Sequence, residues 1–178
     1  SDEFILSLIG RTRKDQQVVF DSYMPKGWPQ EEACRLHTQF KKEEKLQCGV
    51  PLMGDVKGLL DTVKAKGYTI AMATSASAED VEFNLNHAGI KHYFEAIISD
   101  EMITHGKPAP DVYIKTAQQL GVSPQDCLVV EDSLNGVRAA YAAGTTVVMI
   151  PDKVLPTKEV EAMCNYILKR LDDLIEIV

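Results

Sequence analysis

The sequence predicts an α/β protein in which a parallel sheet is flanked by helices, with a smaller all-helical region before it. Three observations predict this. From about residue 54 onward, short continuous apolar runs alternate with helical patterns. Such runs, separated by helices, are those of strands buried on both faces of a parallel sheet. Glycines stand where the helical patterns stop, at Gly67, Gly89, Gly121 and Gly144, as expected of helix C-termini. The first 47 or so residues lack any strand-like run and carry only helical spacing.

In chain order, Val18, Val19 and Tyr23 form an apolar stripe after the charged Arg11-Thr12-Arg13-Lys14-Asp15. Pro29 and Glu31-Glu32 then open a long polar helix ending near Gln47, because proline and acids suit a first helical turn. Gly49 and Pro51 mark the change of character. The division is therefore 1–47 as a helical appendage and 48–178 as an α/β core. In the core the patterns predict helices over 55–66, 78–88, 110–120, 134–143 and 169–177. They predict strands over 68–73, 94–98, 127–130 and 145–150. There is no internal repeat and no low-complexity segment.

Composition narrows the function. The 178 residues fit one domain, or one with a small appendage, and 45% hydrophobic residues are enough to bury a sizeable core. A net charge of −7 argues against a basic nucleic-acid-binding face. No apolar run approaches the ~20 residues of a membrane span, and no signal peptide is recognisable. The four cysteines and four histidines show no metal-ligand spacing. Reduced cysteines in a cytoplasmic protein are the expected reading.

The chemistry lies in polar groups at the strand ends. In open parallel sheets ligands bind beyond the carboxyl ends of the strands. The first strand ends at Thr74-Ser75, the third at Glu131-Asp132, and Lys107 lies in the loop after the second. Taken singly, each has a commoner structural role: a helix cap for Thr74-Ser75 and for Asp132-Ser133, a solvated loop residue for Lys107. Together they place a hydroxyl, an ammonium and two carboxylates along one edge. Glu131 and Asp132 suit Mg²⁺, a hard cation that prefers oxygen ligands. Lys107 and the Thr74 hydroxyl, with nearby backbone N–H groups, suit the oxygens of a phosphoryl group.

The segments Met72-Ala73-Thr74-Ser75-Ala76-Ser77, Gly106-Lys107-Pro108-Ala109-Pro110-Asp111 and Val130-Glu131-Asp132-Ser133-Leu134-Asn135-Gly136 resemble the second, third and fourth motifs of the haloacid dehalogenase superfamily. The likeness is to its phosphatases and beta-phosphoglucomutase-like members with a small helical cap. It covers nearly the whole chain, residues 1–47 corresponding to most of the cap. The resemblance implies a Rossmann-like core and a role for each residue. Thr74 would bind the transferred phosphate, helped by the backbone at Ser75. Lys107 would bridge nucleophile and phosphate, and Asp132 with Glu131 would hold Mg²⁺. Arg13 falls where related sugar-phosphate enzymes carry a cap arginine that meets the substrate. His105, beside Lys107, reads as a solvated loop histidine, with reach to the substrate as the alternative.

The family's first motif, an Asp-x-Asp ending an N-terminal strand, has no counterpart in these residues. The nearest mimic is Asp21 in Val18-Val19-Phe20-Asp21-Ser22-Tyr23, but Tyr23 replaces the second acid and the segment has helical spacing. The expectation is a core lacking its first central strand and a partial cap. The missing strand would be present upstream, be supplied by another chain, or leave the fold compromised. Self-association through exposed strand edges is expected if the truncation is real.

The expected function of the parent protein is Mg²⁺-dependent phosphohydrolysis of a small phosphorylated metabolite, a phosphosugar above others, through an aspartyl-phosphate. The chain by itself is expected to be inactive. Phosphoryl transfer within a sugar phosphate is the enzymatic alternative. Dehalogenase chemistry is disfavoured, since that branch uses no metal. A non-catalytic module binding a phosphorylated ligand or a protein is the alternative of a different class.

Overall fold

The computed structural model describes Phe4 and residues 13–178, with side chains in the first helix from Gln17 onward. Helix α1 spans Arg13–Tyr23 and α2 spans Gln30–Cys48. Asp21 lies inside α1, exposed, its carboxylate accepting a hydrogen bond from Gln17 at 2.9 Å. The helical reading of that segment is thus the observed one. Helix α2 buries none of its residues. It reaches the core through polar contacts, Lys42 to Glu79 at 3.1 Å and Lys45 to Asn84 at 2.8 Å.

The core follows as α3 (Val56–Ala65), β1 (Ala71–Ala73), α4 (Ala78–Ala88), β2 (Ala96–Ile98), α5 (Asp111–Leu120), β3 (Leu128–Glu131), α6 (Leu134–Ala143), β4 (Thr146–Met149), α7 (Lys158–Glu161) and β5 (Tyr166–Ile167). Gly89, Gly121 and Gly144 each adopt the left-handed conformation that ends α4, α5 and α6, where a side chain would strain the backbone.

All pairings are parallel. Strand β1 pairs with β2, with Met72 opposite Ile97; β4 lies between β3 and β5, with Val148 opposite both Val130 and Tyr166. Among the described residues the two ladders, β1–β2 and β3–β4–β5, are not joined by strand pairing. At this gap Leu128 and Val130 of β3 are more than one-third exposed, although they belong to a strand whose continuation Glu131 is buried.

Strand β4 shows how the sheet is covered on both faces. Its alternate residues Val147 and Met149, fully buried, pack into a cluster with Val112 and Tyr113 of α5 and Val137 and Ala140 of α6. Val148 and Ile150 point the other way, against Leu59 of α3 and Leu174. This period of two is strand geometry. The run of small residues Ala139, Ala140 and Ala143 lets α6 sit close on the sheet.

Three elements differ from the sequence reading. The predicted final helix over 169–177 is a 3₁₀ segment, Leu171–Glu176. Its apolar Leu171 and Leu174 are three residues apart, a spacing that a threefold helix aligns on one face, and they pack beside Leu59 and Val63 of α3. Strand β5, only two residues long, was not foreseen, nor was the one-turn α7. No helix among the described residues is long and apolar enough to cross a membrane.

Candidate active site

A cavity of about 300 Å³ opens at the carboxyl ends of β1 and β3, between the two ladders. Its rim is Ala73 to Ala76 on one side and Val130 to Ser133 on the other, with Lys107 also in its wall. The structure therefore brings together Thr74, Ser75, Lys107, Glu131 and Asp132. Arg13 opens α1, but its side chain lies outside the described part of the structure.

Thr74 continues the β1–β2 ladder by donating its N–H to the carbonyl of Ile98 at 3.0 Å. Its hydroxyl oxygen accepts from the Ala76 N–H at 3.1 Å, which bends the chain away from the strand and leaves the hydroxyl proton free to donate. The cap of α4 is Ser77, accepting from the Asp80 N–H at 3.3 Å. Thr74 and Ser75 are not used as the cap.

Lys107 is 7% exposed, so the solvated-loop reading does not hold. It precedes Pro108 across a cis peptide bond. Its ammonium donates to Glu131 Oε1 and lies 5.1 Å from the centre of the Tyr113 ring. The Tyr113 hydroxyl donates to the same Oε1. On the other oxygen, Glu131 Oε2 accepts from the Asp132 N–H at 3.2 Å, the Ser133 N–H at 3.3 Å and the Ser133 hydroxyl at 3.1 Å. Five donors thus converge on one buried carboxylate.

Burial alone would push the Glu131 carboxyl upward. The Lys107 charge and hydrogen bond, with those of Tyr113 and Ser133, outweigh it and hold the group below the usual carboxylate range. Asp132 is pushed the other way: burial and the neighbouring Glu131 charge raise it. Tyr113 is raised well above the ordinary phenol, by burial first and by Glu131 next.

The local chain explains why Glu131 sits where it does. Ser133, rather than Asp132, caps α6, its hydroxyl oxygen accepting from the Gly136 N–H at 3.0 Å. Glu131 folds over this first helical turn, where N–H groups and the helix dipole favour an anion. The close approach requires glycine at 136, because a Cβ there would fall inside the Glu131 carboxylate. The Gly136 of the motif is thereby a packing requirement of the acid.

The donor set fits a hard cation to the extent that Asp132 presents a carboxylate to the cavity whose ionised form is disfavoured by burial and by Glu131. A divalent cation would relieve both effects. Among the described residues no group of three or more His, Cys, Asp or Glu converges as a complete metal cage. The sequence reading missed Tyr113 and Ser133 as partners of Glu131. Tyr113 stands 18 residues before it, and only the packing of α5 against the sheet brings the two together.

Known proteins resemble this chain in sequence and in fold. A probable pseudouridine-5'-phosphatase of Drosophila melanogaster is 36% identical over 156 residues, 84% of this chain and 65% of that protein. Fructose-1-phosphate phosphatase YqaB of Escherichia coli is 41% identical over 88 residues, 48% of this chain and 47% of that one. The crystal structure of CbbY from Rhodobacter sphaeroides, in complex with phosphate, superposes with a TM-score of 0.83 at 26% identity, over 98% of this chain and 80% of that one. The chain spans between 25% and 65% of the length of the first curated relatives that it matches. The family model for haloacid dehalogenase-like hydrolases runs over residues 1–150, across both helices of the N-terminal region and every strand bordering the cavity, and the chain belongs to that family.

Proposed function

We propose that the protein is a Mg²⁺-dependent phosphohydrolase acting on a small phosphorylated metabolite, a phosphosugar above others. This chain carries its phosphate-holding and metal-holding side chains. The observation that carries the reading is the convergence of Lys107, the Thr74 turn and the Asp132 carboxylate on one cavity. Relatives named as phosphatases of phosphorylated small molecules support it.

In this reading Lys107, the Thr74 hydroxyl and the Ser75 N–H take the oxygens of the phosphoryl group, whose negative charge they neutralise as the leaving group departs. Asp132, with Glu131 beside it, would hold Mg²⁺. The bound cation would supply charge neutralisation at a phosphoryl oxygen and orient the group. Among the described residues no carboxylate of the cavity is free to attack phosphorus, since Glu131 is occupied and Asp132 is given to the metal. The covalent aspartyl-phosphate step therefore belongs to a carboxylate outside this cluster.

The test is phosphate release from hexose 1- and 6-phosphates by the whole protein, with Mg²⁺ and with a chelator. Release is expected only with Mg²⁺. Asp132→Asn is expected to lower it by at least about 10–100-fold, the cost of losing even an outer partner of a metal site. The same variant is expected to be more stable than wild type at neutral pH. The carboxyl of Asp132 is raised in the folded state, so the stability it contributes is present below its unfolded value and lost as pH rises through the folded one. An uncharged asparagine escapes that loss. Unchanged Mg²⁺-dependent release in Asp132→Asn would remove the metal assignment. Conversion of glucose 1-phosphate to the 6-phosphate without free phosphate would replace hydrolysis by transfer within the sugar.

A further inference from the structure

Tyr113 is 6% exposed and packs in the main apolar cluster. Phenylalanine would fill the same space, so packing does not account for the hydroxyl. A buried hydroxyl is costly unless it is bonded, and this one is bonded to Glu131 Oε1. The ring is rigid, with two side-chain torsions, and it also lies under the Lys107 ammonium at 5.1 Å. Tyr113 thus touches both members of the Lys107–Glu131 pair. On Glu131, the oxygen that faces the lysine takes two donors, and the other takes three from Asp132 and Ser133. A carboxylate so occupied has little lone-pair capacity left for a cation.

We propose that Tyr113 is a positioning residue: its hydroxyl, with Lys107, ties Glu131 to the lysine, so that Glu131 orients the ammonium toward phosphate and Asp132 alone of the acid pair serves the metal. This rests on the phosphate and metal reading of the cavity and refines it. Tyr113 touches neither ligand; it acts through Glu131 and Lys107. Without the hydroxyl, Glu131 keeps its charge but gains freedom to turn. The ammonium then loses its fixed direction, while the metal side loses nothing.

The experiment measures binding of two probes to the protein and to Tyr113→Phe. Inorganic phosphate is followed by calorimetry, and Mn²⁺ by loss of the free-ion paramagnetic signal. Tyr113→Phe is expected to weaken phosphate binding by about fivefold, the scale of one ordinary hydrogen bond, because the loss reaches phosphate only through Glu131 and Lys107, and to leave Mn²⁺ binding as tight as wild type or tighter. Tyr141→Phe, on the exposed face of α6, is expected to change neither. A merely structural role would weaken both probes together, and a metal-ligating Glu131 would show as weaker Mn²⁺ binding. Either result overturns the inference, as does unchanged phosphate binding. If the wild-type protein binds neither probe, the function reading itself fails and takes this inference with it. Binding of both with a parallel loss in Tyr113→Phe removes the inference alone.

Discussion

Lys107→Met is expected to abolish phosphate binding and to destabilise the fold by about 3–5 kcal/mol, the cost of leaving a buried charge without its partner. Glu131 is buried, and among the described residues the Lys107 ammonium is the one cation paired with it. The pH dependence should reverse as well. In the wild type the Glu131 carboxyl is lowered, so its contribution is present above the unfolded value of about 4.3 and lost as pH falls through the folded one. In Lys107→Met burial acts with far less opposition and raises the carboxyl. Stability is then lost as pH rises above about 4.3, and the gap between variant and wild type widens toward neutrality. Adding Glu131→Gln to Lys107→Met is expected to recover most of the stability and none of the phosphate binding. Denaturant unfolding at pH 4 and pH 7 reads the stability, and calorimetry with inorganic phosphate reads the binding. Equal destabilisation at both pH values, with phosphate binding intact, would show that the pair is not the electrostatic centre of the site.

Gly136→Ala is expected to invert the usual sign of a helical glycine substitution. In the interior of a helix, alanine normally stabilises by about 0.5–1 kcal/mol. Gly136 stands in the first turn of α6 with Glu131 lying against it, and a methyl group there would occupy the carboxylate's place. Forcing volume into so tight a contact costs about 1–3 kcal/mol. Glu131 must leave the turn, and with it go its bonds to Ser133 and the direction of Lys107. Phosphate affinity is expected to fall by about tenfold or more, since Lys107 no longer presents its ammonium in a fixed direction. Thermal unfolding and phosphate calorimetry on this variant decide it. A gain in stability with unchanged binding would mean that Glu131 does not depend on the turn.

Much of this was legible in the residues because the relevant physics is local. Glycine ends α4, α5 and α6, and the helix predicted over 78–88 matches the observed Ala78–Ala88. Strand ends were less legible. The run over 68–73 pairs only from Ala71, because pairing depends on the neighbouring strand and not on the run's own composition. Lys107 and the Glu131-Asp132 step stand in short contiguous motifs, and the sheet edge gathers them as the strand order requires. What the motifs could not give is the division of labour between the two acids. It depends on Tyr113 approaching from α5 and on Ser133 turning back over the helix start, contacts between side chains that no linear pattern orders.

In the proposed function the cavity between β1 and β3 receives a phosphoryl group on Lys107 and Thr74, with a cation at Asp132. The most direct measurement is a crystal of the protein soaked with tungstate, a phosphate mimic, and Mn²⁺, located by anomalous scattering. Tungstate is expected within hydrogen-bond reach of Lys107 Nζ, Thr74 Oγ1 and the Ser75 N–H, and Mn²⁺ on an Asp132 oxygen. Tungstate bound elsewhere, with this cavity empty and Lys107 engaged by Glu131 alone, would contradict it.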